Sequence, residues 1–229
     1  QHSRIPTVAL VGYTNAGKST LLNALTAAGV FAEDKLFATL DPTTRRIKLP
    51  AGQEILLTDT VGFIQKLPHA LIAAFRATLE EVVEADLLLH VVDASHARYI
   101  EQMTAVYDVL RQLKADTKPA ITVYNKIDAI ETPPIISKLN SEQDAIAVSA
   151  VTGQGLPELL GQIEEFLRHT KIDIELAIPY NDSGIISQLY SSGDVLRTDY
   201  REDAIYVTLS AVPEEAGRFR AYMTGVEKD

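Results

Sequence analysis

Gly12-Tyr13-Thr14-Asn15-Ala16-Gly17-Lys18-Ser19-Thr20 is the stretch on which the reading of this chain turns. It follows an apolar run, Val8-Ala9-Leu10-Val11, and precedes Leu21-Leu22-Asn23-Ala24-Leu25, whose apolar positions recur at helical spacing. A strand, a glycine-bounded loop and a helix, in that order, are the setting in which G-x-x-x-x-G-K-[ST] cradles phosphate. The glycines let backbone N–H groups turn inward around phosphate oxygens, and the helix N-terminus adds partial positive charge. In this pattern Lys18 reaches the β- and γ-phosphates and Ser19 offers a hydroxyl to Mg2+.

Outward from this loop, apolar runs alternate with helical patterns as far as His169. Arg45–Leu49 and Glu54–Thr58 read as strands joined by Pro50-Ala51-Gly52-Gln53. Residues 68–84 carry Leu71, Ile72, Phe75, Leu79 and Val82 at helical spacing, a core-facing stripe. Asp86–Asp93 reads as a fully buried strand, and Ile100, Met103, Tyr107 and Leu110 mark a helix. Ala120–Tyr124 and Ala145–Val148 read as strands, and a helix opening near Pro157 closes the unit near His169. This alternation predicts an α/β fold of the P-loop NTPase type, a doubly wound, mostly parallel sheet with helices on both faces. Ligands bind such sheets beyond the carboxyl ends of the strands.

The pattern changes at Ile172. Ile172–Ile178 reads as a strand, and Asn181–Ser192 as a helix capped by Asn181 or Ser183 and stopped by Gly193. Ile185, Ile186, Leu189 and Tyr190 share one face of that helix. Ile205, Val207 and Leu209 alternate as a strand, and Glu214–Met223 reads as a final helix. The expected division is a P-loop domain over residues 1–171 and a small C-terminal α/β domain over residues 172–229.

Three further segments stand at strand ends. In Asp59-Thr60-Val61-Gly62, Asp59 can hold Mg2+ through water and the Gly62 N–H can touch a γ-phosphate. In Asn125-Lys126-Ile127-Asp128, the Asp128 carboxylate can accept from both the ring N–H and the exocyclic amine of guanine, a pair that adenine does not offer. Asn125 would brace the phosphate loop, and the stem of Lys126 would cover the base. Ser149-Ala150-Val151 would bring a backbone N–H to the guanine carbonyl. The polar segment around Phe37-Ala38-Thr39-Leu40-Asp41 reads as an exposed loop in which Thr39 is the second hydroxyl for Mg2+. Each piece has a plainer reading: Asp59 as a cap, Asn125 and Asp128 as turn residues, Thr39 as loop filler. Their order at successive strand ends favours GTP, with GDP as product, over ATP. Lys18, Thr39 and Gly62 are the groups expected to act on the transferring phosphate.

Composition agrees with this class. With 46% hydrophobic and 23% charged residues, the 229-residue chain can bury a sizeable core. It has no cysteine, so disulfides and thiolate metal sites are excluded. The net charge of −10, from 21 basic and 31 acidic residues, argues against broad nonspecific nucleic-acid binding. No run of eighteen apolar residues occurs, so no membrane span is expected, and a cytoplasmic monomer is the expectation. Gln1-His2-Ser3-Arg4 leads almost directly into the first strand, so either the protein begins there or an N-terminal region has been removed.

The phosphate loop, the segment Phe37-Ala38-Thr39-Leu40-Asp41-Pro42-Thr43-Thr44-Arg45, the segment Asp59-Thr60-Val61-Gly62-Phe63-Ile64-Gln65-Lys66-Leu67-Pro68 and the run Ala74-Phe75-Arg76-Ala77-Thr78-Leu79-Glu80 together resemble the HflX family of ribosome-associated GTPases. The resemblance runs from about Ile5 to His169, and residues from Ile172 resemble that family's short C-terminal domain. It implies GTP hydrolysis with Mg2+ and binding to the large (50S) ribosomal subunit, in splitting stalled ribosomes or in subunit biogenesis. It also implies an N-terminal domain that contacts ribosomal RNA, which this chain does not include.

Two positions bear on mechanism. Related enzymes orient the attacking water with a glutamine directly after D-x-x-G, and here that position is Phe63, which cannot hydrogen-bond. Gln65 lies two positions further on. Slow intrinsic hydrolysis, accelerated by a partner, is therefore expected. Asn15 stands where several GTPases use asparagine to coordinate K+, the alternative being that it stabilises the loop by backbone bonds. A GTP-binding module with negligible turnover and the cytosolic G domain of a ferrous-iron transporter are the other readings. His90 is expected to be a hydrogen-bonded core histidine, and His69 and His96 lack a metal-like constellation. Arg45 and Arg46 read as solvent-facing strand residues, with contact to RNA or phosphate as the alternative.

Overall fold

The aliphatic run before the phosphate loop forms the interior of β1 (Thr7–Gly12), where Val8 to Val11 are all buried. A computed structural model describes residues 5–28, 30–31, 44–60, 62, 79–131 and 133–224. Around β1 runs a seven-stranded sheet in the order β2 (Val30–Phe31), β3 (Thr44–Lys48), β4 (Glu54–Asp59), β1, β5 (Leu87–Asp93), β6 (Ala120–Asn125) and β7 (Ala145–Ala147). The five strands from β4 to β7 are parallel, and β2 and β3 add an antiparallel edge. The fold is α/β, as the alternating pattern predicts.

Helices cover both faces, which is why the strands read as continuous apolar runs rather than alternating ones. None of Leu87 to Val92 in β5 exposes more than 3% of its surface. One core joins Ala9, Val11 and Leu88 to Leu79 and Val82, within helical residues 79–84, and to Val106, Val109 and Leu110. Those last three lie on α2 (Tyr99–Gln112). A second core joins Val92, Tyr124, Ala145 and Ala147 to Leu139 of α3 (Pro133–Asn140). Each fully buried leucine contributes roughly 2 kcal/mol of hydrophobic stabilisation, so these faces hold the strand ends in fixed positions. Between β1 and the rest of the sequence, α1 (Lys18–Ala28) packs on β1, β3 and β4 through Leu21, Leu22 and Leu25.

His90 departs from its expected environment. Its ring is 1% exposed, Nδ1 has no hydrogen-bond partner among the described residues, and Tyr107 meets it edge-on at 5.1 Å. Burial lowers its pKa to about 4, so it sits in the core as a neutral imidazole packed like an aromatic side chain.

The chain forms two compact units, residues 7–162 and a smaller one that takes the described residues before Thr7 together with those from Ile163, so the boundary falls inside α4 (Leu156–His169). The smaller unit contains an antiparallel sheet in the order β8 (Ile172–Ile178), β10 (Ile205–Ala211), β9 (Asp194–Tyr200). Ile174, Leu176 and Ile178 of β8, with Ile205, Val207, Leu209 and Ala211 of β10, face its core. Leu189 of α5 (Ile186–Ser192) and Ala216 of α6 (Pro213–Gly217) close that core.

Two helices expected in this unit are corrected. The Asn181–Ser192 helix is a 3-10 turn, Tyr180–Ile185, leading into α5, with no side-chain cap bond from Asn181 or Ser183, and Tyr190 is 65% exposed. Gly193 does end α5, in extended backbone. The helix expected over Glu214–Met223 is broken into α6 and a 3-10 turn at Arg220–Tyr222. β9 and α3 escape sequence reading altogether: a register irregularity opposite Thr208 and Leu209 spoils the alternation of the edge strand, and α3 spans eight residues opened by two prolines.

Candidate nucleotide site

Glycine spacing shapes the phosphate loop. Asn15 and Gly17 take left-handed backbone conformations, with φ of 62° and 97°. Gly17 is required twice over, since a Cβ there would collide with Asn125 Nδ2. The Ala16 N–H donates to the Tyr13 carbonyl at 3.1 Å, tightening the turn, and α1 starts immediately at Lys18. Tyr13 is half-buried, whereas Thr14, Asn15, Ser19 and Thr20 are exposed around the mouth of the loop.

Lys18 is 7% exposed, and among the described residues Nζ finds only the Gly12 carbonyl, at 3.4 Å. Burial holds its pKa below the usual lysine range, with Asp59 pulling the other way. Ser19 Oγ donates to Asp59 Oδ2 at 2.6 Å, so two of the three expected Mg2+ ligands, one from α1 and one from the end of β4, already meet. The other carboxylate oxygen, Asp59 Oδ1, is buried without a partner among the described residues. An orphaned carboxylate oxygen beside a hydroxyl suits a hard cation that keeps several waters and phosphate ligands. Gly62 approaches the loop so closely that a Cβ would lie 3.0 Å from Thr14 Cα and 3.3 Å from Lys18 Nζ. The Thr60 hydroxyl donates to the Leu10 carbonyl at 2.6 Å and braces β4 against β1, so its side chain is engaged away from the loop. Phe37, Ala38, Thr39, Leu40, Asp41, Val61, Phe63, Gln65 and His69 lie outside the described residues.

The opposite side is built by the ends of β6 and β7. Asn125 is 2% exposed; its Nδ2 donates to the Ala16 carbonyl at 3.0 Å, and its Oδ1 accepts the Ala150 N–H at 3.0 Å. One amide thus ties the phosphate loop to the segment after β7. Asp128 is exposed in a 3-10 turn, Ile127–Ala129, and Oδ1 accepts from Ser149 Oγ at 2.6 Å. The Ile127 side chain is in the core, so that residue can offer only backbone. The Ser149 N–H bonds to Gln154 and the Ala150 N–H to Asn125, so the amide expected there to meet a base carbonyl is already committed. The next one, at the 77%-exposed Val151, has no partner among the described residues.

Sequence reading missed Asp93. It ends β5 beside Asn125, and its carboxylate accepts from Lys126 Nζ at 2.7 Å. Burial raises its pKa, but the bonds from Lys126 and Ser95 outweigh that and hold it below the ordinary aspartate value. The available signal was an acidic residue ending the strand next to the Asn-Lys-x-Asp strand. Arg46 is not solvent-facing, since it pairs with Glu54, and Arg45 donates to the Thr44 carbonyl at 3.1 Å. His96 Nδ1 accepts the Arg98 N–H, and among the described residues no cluster of three metal-ligating side chains occurs.

A strand–loop–helix phosphate cradle at the switch of a parallel sheet, faced by an Asn-Lys-x-Asp turn, defines the class as a P-loop nucleotide-binding protein. Residues 7–126 match the family model described as 50S ribosome-binding GTPase, and residues 134–226 match the HflX C-terminal domain. The chain belongs to this GTPase family, among its HflX members.

A GTPase HflX from Lacrimispora saccharolytica is 52% identical over 93% of this chain and 50% of its own length. The chain thus spans about half the length of the curated relatives it matches. A GTP-binding protein from Sulfolobus solfataricus, solved with GDP, is 30% identical, with a TM-score of 0.56 over 70% of this chain and 51% of that one. The cytosolic domain of the T. maritima FeoB iron transporter, in its GMPPNP form, is 24% identical, with a TM-score of 0.51 over 71% of this chain and 64% of that one. That likeness is one of fold alone.

Proposed function

We propose that the chain binds GTP with Mg2+ and hydrolyses it to GDP and phosphate, as a switch acting on the 50S ribosomal subunit in the cytoplasm. The observation that carries this reading is the pair of hydrogen bonds made by the Asn125 amide, which ties the phosphate loop to the segment after β7, whose Ser149 bonds Asp128. The Asp128 carboxylate can accept from two donors that guanine offers and adenine does not. Family membership and the named relatives support the ribosomal assignment, and the match of residues 134–226 favours it over the iron-transporter reading.

Phosphoryl transfer to water depends on positioning and charge neutralisation rather than covalent help. Lys18, buried and poorly partnered, waits for an anionic oxygen, and the loop amides and the α1 N-terminus face the same ligand. Ser19 and Asp59 would hold Mg2+, with Thr39 as the further hydroxyl expected from the sequence, and the ion would supply charge neutralisation at the phosphates. A Gly62 N–H that contacts the γ-phosphate would lose that contact on hydrolysis, which would release its segment. Phe63 cannot orient water, so intrinsic turnover is slow and rises when the 50S subunit is bound. Single-turnover rates with and without saturating 50S subunits test this; equal rates with binding demonstrated reject it, and no phosphate release in either leaves a binding module. Cosedimentation with 50S subunits under GDP and under a nonhydrolysable GTP analogue tests the partner.

The base assignment has its own test. An Asp128→Asn chain would replace an acceptor by a donor, weakening GTP binding about 100-fold while improving binding of xanthosine triphosphate. Calorimetry showing ATP bound as well as GTP by the unaltered chain rejects the reading.

Asn15 supports a second element. Its side chain is exposed with no bond to another described residue, and its left-handed backbone is one that asparagine tolerates. That leaves its amide oxygen free to ligate K+ beside the phosphates. Faster turnover in KCl than in NaCl at equal ionic strength is expected, and equal turnover removes the K+ role.

A further inference from the structure

Lys126 lies in the base-recognising segment, but its ammonium group is engaged elsewhere. Nζ donates to Asp93 Oδ2 at 2.7 Å and to the Asn15 carbonyl at 2.8 Å. It therefore bridges the end of β5 to the tip of the phosphate loop. Asp93 is itself aimed: its Oδ1 accepts both the Ser95 N–H at 3.1 Å and Ser95 Oγ at 2.6 Å, leaving Oδ2 for the lysine. In register it stands directly beside Asn125, and the Ala94 N–H closes onto the Asn125 carbonyl at 3.0 Å. Lys126 holds this pose from a left-handed backbone, φ 66° and ψ 32°, which a residue with a Cβ adopts only when its surroundings hold it there.

We infer that Asp93 is a positioning residue for nucleotide retention: it clamps Lys126 against the phosphate loop, so that the base side and phosphate side of the site open together and the clamp sets the rate of nucleotide release. This rests on the guanine-nucleotide reading above. Asp93 touches neither base nor phosphate; it acts through Lys126. Its side chain is 14% exposed, so solvent screens the pair less than a surface salt bridge.

The test is the release rate of fluorescent N-methylanthraniloyl-GDP from this chain, chased with unlabelled GDP. Asp93→Asn keeps the shape but has one oxygen, which can serve either the two Ser95 donors or Lys126 and not both, and release quickens about tenfold. Ser95→Ala, which only loosens the aim of Asp93, quickens it about threefold. A structural role is separated by the double-mutant cycle: in a Lys126→Met background, Asp93→Asn changes release by less than about twofold. Unchanged release in Asp93→Asn, or the same acceleration in both backgrounds, overturns the clamp. Should Asp93→Asn lose its cooperative melt, Ser95→Ala decides: unchanged release overturns the clamp, and faster release only where Lys126 is present supports it. Failure of the unaltered chain to bind the labelled GDP at equilibrium overturns the guanine reading, and the clamp with it.

Discussion

The two sides of the site differ in how completely their polar groups are satisfied. On the base side, Asn125 makes both of its bonds, Asp128 is tied to Ser149, and Lys126 has two oxygen partners. On the phosphate side, among the described residues, Lys18 is buried with one long contact and Asp59 Oδ1 with none. A buried polar group without a partner costs about 1–3 kcal/mol, and more when charged. The base side is therefore a finished mould, while the phosphate side stores an unfavourable arrangement that a charged ligand relieves. On the proposed function, this asymmetry predicts that the phosphate end of the ligand contributes more to binding than the base.

The largest expected effect comes from Lys18→Met, which weakens nucleotide binding by more than about 100-fold. The same change leaves the nucleotide-free chain as stable or more stable, because a poorly partnered buried cation is removed. Titration calorimetry and thermal melts of one preparation check both; a large drop in nucleotide-free stability would erase the contrast between the two sides.

Asn125→Ala breaks the finished side instead. It orphans the Ala16 carbonyl and the Ala150 N–H, lowering stability by about 3 kcal/mol in urea unfolding even without nucleotide.

His90 is the control for an orphaned group that has no ligand to wait for. Its folded pKa of about 4 lies below the unfolded value of 6.5, so the unfolded chain takes up a proton first as the pH falls. Stability therefore drops between pH 6.5 and 4, by about 2 kcal/mol on going from pH 7 to pH 5. His90→Phe removes this part of the pH dependence, as urea midpoints at the two pH values would show.

The smallest effect sharpens the phosphate side. Asp59→Asn reduces the gain in nucleotide affinity on adding Mg2+ by about tenfold, while affinity in EDTA stays nearly unchanged. Equal loss with and without Mg2+ would give Asp59 a purely structural role.

Much of this was legible in order along the chain. The phosphate loop reads from glycine spacing because its shape is local: a left-handed Gly17 and a helix starting at Lys18 need no distant partner to be specified. The buried strands read equally well, since β5 is apolar along its length. The small unit was less legible. Its edge strand β9 packs little and carries a register irregularity, so its alternation is blurred, and its last helix breaks at a glycine that periodicity does not weigh.

What the sequence by itself determined is the list of segments, the α/β class and the chemistry each segment could offer, because these follow from residue type and spacing within a few positions. Tertiary structure alone decided which groups are committed to one another: that Thr60 braces β1, that the Ala150 N–H belongs to Asn125, and that Asp93 holds Lys126. The reason is geometric. Parallel strands bring together residues tens of positions apart, and a side chain's partner depends on strand order and register, which short-range spacing does not encode.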